Sequence, residues 1–174
     1  PTHVGEGYRE ELDRVRKALD EGGYVAVGEI GIDLYWDTTR LEEQIQAFRL
    51  QIRMAIAHDL PIVIHCREAF EEIFEVLESE KHKRLRGIFH CFTGTLEQAR
   101  RAISLNMKLG IGGVVTFKNG KIDRFTGGEA LVEFVRHHHR ADLLALAAAR
   151  ALVEVDNIAD MAIVALQFFF RGAL

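Results

Sequence analysis

Between residues 23 and 117, short continuous apolar runs alternate with longer stretches in which apolar residues recur every three or four positions. The runs are Tyr24–Val27, Pro61–Ile64, Gly87–Phe89 and Lys108–Ile111. Strands covered on both faces lose the polar alternation of a half-exposed strand, so runs of this kind predict a parallel sheet. Between the first two runs, Ile45, Phe48, Ile52 and Ala55 share one helical face, with Thr39 and Glu42 spaced as a capping box ahead of them. Ala69, Phe70, Ile73, Phe74 and Leu77 predict the next helix, and Thr95 with Gln98 caps another that carries Ala99, Ala102 and Ile103. Strand and helix in strict alternation predict successive βα units, in a barrel or an open α/β sheet.

The flanking segments differ. Residues 9–20 are charged, with Leu12, Val15 and Leu19 on one face, and predict a surface helix with no strand before it. After Phe125 come Gly127-Gly128, the run His137–His139, a helix-favouring stretch from Leu143 to Leu152, and Leu152–Asp156, which resembles a strand ending in an acid. Residues 1–174 are expected to form a single barrel domain, divergent over 126–174.

The chain is 48% hydrophobic and 28% charged, ordinary globular composition. Residues 1–20 lack the basic segment followed by an apolar stretch that marks a signal peptide, and no apolar run approaches the ~18 residues of a membrane span. A cytoplasmic protein with no membrane partner is expected. Cys66 and Cys91 lie inside apolar runs and outside any CxxC pair, as expected of reduced core thiols. The net charge of -4 offers polyphosphate no general attraction, so a nucleic-acid substrate needs local cations.

Chemistry concentrates where the runs end. Val27 leads into Gly28-Glu29-Ile30-Gly31-Ile32-Asp33, Ile64 into His65-Cys66-Arg67-Glu68, and Phe89 into His90-Cys91-Phe92-Thr93-Gly94. In parallel barrels the C-terminal strand ends open onto one shared face. A carboxylate and two imidazoles in such places need hydrogen-bond partners or a cation, and the set suits Zn, Mn or a similar divalent ion. Glu29, His65 and His90 are therefore candidate ligands. Arg67 either meets a substrate phosphate in bidentate fashion or pairs with Glu68 or Glu71. Gly110, Gly112 and Gly113 lack a Walker lysine and fit close backbone approach better than a phosphate loop. Three adjacent histidines at His137–His139 cannot all face one ion and read as a solvated run.

These three motifs, in this order, resemble the TatD family of metal-dependent deoxyribonucleases, and Leu109–Phe117 and Pro61 fit the same pattern. The resemblance implies a TIM-like (β/α)8 barrel of the amidohydrolase type, two divalent ions (Mg, Mn or Zn), and hydrolysis of phosphodiester bonds in DNA. It makes Glu29 the bridge between the metals and gives His65 and His90 to one of them. The family's opening His-x-His strand has no counterpart here, so the expectation is an N-terminally truncated barrel. The family's Glu-Thr-Asp-x-Pro motif is nearest at Glu154-Val155-Asp156-Asn157-Ile158. Asp156 is accordingly a candidate metal ligand and the catalytic residue that handles the water's proton, or else the polar end of a strand or a helix cap. The functional expectations are a DNase, an amidohydrolase-type enzyme acting on a small ester or amide, or a barrel remnant serving as an interaction module.

Overall fold

The computed structural model describes residues 1–110. The readings at Ile111–Phe117, Gly112, Gly113, His137–His139, Leu143–Leu152 and Asp156 lie outside them. The described elements run α1 (Tyr8–Glu21), β1 (Val27–Asp33), α2 (Leu41–Ala57), β2 (Ile62–Arg67), α3 (Phe70–Ser79), β3 (Gly87–Phe89), α4 (Leu96–Ser104) and β4 (Met107–Leu109). The strands pair in parallel in the order β1-β2-β3-β4. Neighbours in space are thus neighbours in sequence. A doubly wound sheet reverses its strand order part-way, whereas a βα barrel winds on in one direction, as this sheet does.

The helices cover one face of the sheet. Ile30 and Ile32 of β1, Ile62 and Ile64 of β2, and Phe89 of β3 are buried with Phe48, Ile52, Ile73, Phe74 and Leu77 in one core. Alternation along a strand sends the intervening residues to the other face. Glu29, Gly31 and Asp33 of β1 therefore share a face with Val63, His65 and Arg67 of β2, with Gly31 opposite His65 and Asp33 opposite Arg67 in the register. The site residues lie on this inner face, across the sheet from the core.

Several local expectations are corrected. Tyr24 and Val25 are exposed, and the first strand begins at Val27, so Glu29 lies within β1 rather than beyond its end. Thr39 does not cap α2: its N–H and Oγ1 both bind Asp37 Oδ1, at 2.8 and 2.6 Å, and Arg40 takes the cap position without a side-chain bond. Asp37 stands two residues before Thr39 and captures both its donors in a local turn. The capping box of Thr95 and Gln98 at the start of α4 is formed in both directions. Cys66 is partly buried and packs against the core, and Cys91 is partly buried without belonging to it. Gly110 does lie in close backbone approach, since a Cβ there would stand 2.8 Å from the Phe89 carbonyl oxygen.

Candidate metal centre

Three strands bring Glu29, His65 and His90 together. Glu29 projects from β1, His65 from the fourth position of β2, and His90 follows directly on β3, its backbone N–H donating to Ile64 O at 2.8 Å. That bond continues the β2–β3 ladder by one residue and fixes where the His90 side chain leaves the sheet. Each oxygen of the Glu29 carboxylate faces an imidazole nitrogen: Oε1 is in direct contact with His90 Nδ1, and Oε2 lies 3.9 Å from His65 Nδ1. All three side chains are partly exposed, between 24% and 34%. The centre is open to solvent and to a substrate.

Sequence reasoning missed Asp33. This aspartate is buried to 3% exposure, and its Oδ2 lies 2.8 Å from His65 Nε2. A carboxylate only accepts, so the imidazole hydrogen belongs on Nε2 and the Nδ1 lone pair is left directed at Glu29. A lone pair facing an anionic oxygen is unfavourable unless a cation or proton lies between them. This carboxylate–histidine pairing is the usual support of a metal-ligating imidazole. Asp33 is itself held by Gln44 of α2, whose side-chain amide accepts from Asp33 N at 2.8 Å and donates to Asp33 O at 3.1 Å. The acid at the end of the Gly-x-x-Gly-x-Asp run and a glutamine among the apolar positions of the α2 pattern were the available signals.

The donors fit a divalent ion in chemical kind. As placed, no group of three or more His, Cys, Asp or Glu side chains among the described residues closes around an ion position. Burial pushes the Cys66 thiol up to about 12, and burial followed by the negative charge of Glu29 raises that of Cys91. Neither environment favours the thiolate in the absence of a cation.

Arg67 ends β2 beside this centre and makes neither expected ion pair among the described residues. Glu71 pairs instead with Arg101 at 2.6 Å. The Arg67 guanidinium lies over the Tyr35 ring, 3.6 Å from its centroid.

The sequence model for TatD-related DNases matches residues 1–145. The chain belongs to this family. Among TatD relatives, it is 41% identical over 112 residues to the uncharacterized metal-dependent hydrolase YabD of Bacillus subtilis, covering 64% of this chain and 44% of that protein. It is 32% identical over 115 residues to the 3'-5' ssDNA/RNA exonuclease TatD of Pantoea ananatis, covering 66% and 44%. The crystal structure of YjjV, a TatD homolog from Escherichia coli K12, superposes with a TM-score of 0.62 at 32% identity, covering 69% of this chain and 47% of that one. The chain thus spans less than half the length of these relatives. The fold is that of the TatD TIM-barrel hydrolases, and the four parallel strands β1–β4 form a consecutive segment of such a barrel. No helix among the described residues is long and apolar enough to cross a membrane.

Proposed function

We propose that this TatD-family chain carries part of a two-metal phosphodiesterase site that hydrolyses DNA, with single strands as substrate. The observation that supports it is the Glu29 carboxylate flanked by the two Nδ1 atoms of His65 and His90. Glu29 would be the ligand shared by the two ions, and His65 and His90 would be further ligands of one of them. Asp156, outside the described residues, is the proposed further ligand and the carboxylate that would take up the proton of the attacking water. Bound divalent ions supply Lewis acidity to the phosphate and a nucleophilic water near neutral pH.

The chain's own residues set the stage for that chemistry. Asp33 holds His65 in the tautomer that offers Nδ1. Arg67 is the proposed phosphate contact, its planar guanidinium suited to two oxygens at once. The exonuclease name borne by the Pantoea ananatis relative favours single-stranded nucleic acid as the substrate class.

The test has two steps. Equilibrium dialysis against Mn or Zn is expected to load wild-type protein, and Glu29→Gln is expected to lose most of that binding. End-labelled single-stranded DNA incubated with loaded protein is expected to shorten, and to stay intact with Glu29→Gln. Loaded wild-type protein that leaves the oligonucleotide whole would sink the nuclease reading.

A further inference from the structure

Asp33 works in two directions. While Oδ2 meets His65, Oδ1 accepts the backbone N–H of Tyr35 at 3.0 Å, which pins the turn after β1 to the metal centre. That turn presents two large aromatic side chains, Tyr35 at 50% and Trp36 at 71% exposure. Their rings meet edge to face, with centroids 4.8 Å apart and planes at 89°. Arg67, the register partner of Asp33, spans both, 3.6 Å from the Tyr35 centroid and 5.4 Å from that of Trp36.

Core packing does not account for this cluster. Among the described residues neither aromatic belongs to the hydrophobic core, and Trp36 is 71% exposed despite its cation–π contact. Exposed apolar rings gathered beside a reactive centre, with a cation among them, have the chemistry of a surface awaiting a partner. The partner must offer a flat apolar face for the rings and a negative charge for Arg67. A nucleotide in a single strand offers both: a base to stack and a phosphate one bond-chain away. In a duplex the base faces are already covered by their neighbours.

We infer that Tyr35, Trp36 and Arg67 form a base-stacking platform, which holds a nucleotide flanking the scissile phosphate and gives single strands their advantage over duplex. The inference rests on the nuclease reading above. It adds a source of affinity that the net charge of -4 does not provide, and Asp33 couples it physically to the ligand His65.

Trp36 is the only tryptophan in the chain, so the selectively excited tryptophan emission reports on this one ring. The experiment titrates the full chain, with and without Mn, with phosphorothioate-linked oligothymidylate of about six nucleotides, a length within one single-strand site. An abasic oligomer of equal length and charge runs in parallel, and anisotropy of a 5' label follows binding independently. Thymidylate is expected to quench Trp36 saturably, and the abasic oligomer to bind more weakly and quench little. Trp36→Ala is expected to weaken thymidylate binding roughly 5- to 150-fold, the range of one stacked base, and Trp36→Phe to restore most of it. Because the emission experiment on wild-type protein needs no substitution, it stands even if a variant misfolds. Equal affinity for both oligomers, or unchanged binding in Trp36→Ala, overturns the platform and leaves the nuclease reading standing. Failure of either oligomer to bind under any condition removes the nuclease reading, and the platform with it.

Discussion

Asp33 and His65 are joined across β1 and β2, Oδ2 to Nε2 at 2.8 Å, and this pair decides which nitrogen His65 turns toward Glu29. Asp33 uses both oxygens as acceptors, one for His65 and one for Tyr35 N–H. Asparagine has a single carbonyl oxygen, so Asp33→Asn either sets its NH2 group against Tyr35 N–H or donates to His65 Nε2 and moves the imidazole hydrogen to Nδ1. The expected outcome is metal affinity reduced by roughly 10- to 100-fold with the fold retained, as for other supports of ligating histidines. Isothermal titration with Zn or Mn, beside far-UV circular dichroism, measures both. Wild-type affinity in Asp33→Asn would remove the supporting role given to this aspartate.

Gly31 makes that pairing possible. It lies opposite His65 in the register with φ of 135°, a backbone region L side chains rarely adopt, and a Cβ there would be driven into the His65 carbonyl oxygen. Backbone cannot yield as a flexible side chain does. Gly31→Ala is expected to cost about 3 kcal/mol from steric conflict and dihedral strain together. Urea denaturation followed by circular dichroism reads the loss as a lowered midpoint. A midpoint within error of wild type would mean that β1 and β2 separate without cost.

How far the sequence disclosed this arrangement depends on the range of the interactions involved. Elements governed by local pattern were legible: the β2 and β3 runs, the apolar faces of α2 and α3, and the cap of α4 all depend on residues a few positions apart. The start of β1 was not, because Tyr24 and Val25 are apolar yet exposed, while Gly28 and Glu29 are exposed and interrupt the apolar run inside the strand. Glu29, His65 and His90 were legible as polar residues at the ends of buried runs. Asp33 and Gln44 were not, since their roles come from strand register and from α2 packing on β1, which no local spacing encodes. The contact of Arg67 with Tyr35 and Trp36 is of the same long-range kind.

The two threonine motifs offer a paired comparison. Thr95 accepts from Gln98 N at 3.2 Å, and Gln98 Oε1 accepts from Thr95 N at 2.9 Å, so Thr95→Ala removes one half of a formed capping box. The expected cost is about 1 kcal/mol. Thr39→Ala removes a hydroxyl bound only to Asp37 in an exposed turn, and its expected effect lies within about 0.5 kcal/mol of zero. Thermal unfolding of the two variants side by side ranks them. A larger loss in Thr39→Ala would mean that the turn before α2, not the cap of α4, limits stability.

Glu80, at the C-terminal cap of α3, receives two arginines from α2: Arg53 through both oxygens at 2.9 and 2.7 Å, and Arg49 at 3.1 Å. The hydrogen bond from Arg53 is the largest cause holding the Glu80 carboxyl below its ordinary value of 4.5, with Arg49 adding to it and partial burial opposing. A carboxyl lowered in the folded state contributes stability that is present in full above the unfolded value and is lost as pH falls through the folded one. Glu80→Gln keeps the shape and discards the charge. It is expected to destabilise the protein by about 1 kcal/mol at most near neutral pH, since Arg53 is exposed and screened by solvent. The difference from wild type should shrink as pH drops below 4.5, where wild-type Glu80 progressively takes up its own proton. Chemical denaturation of both proteins at several pH values between neutrality and the acid limit checks the sign. A gap that stays constant on acidification would assign the effect of the substitution to packing rather than to charge.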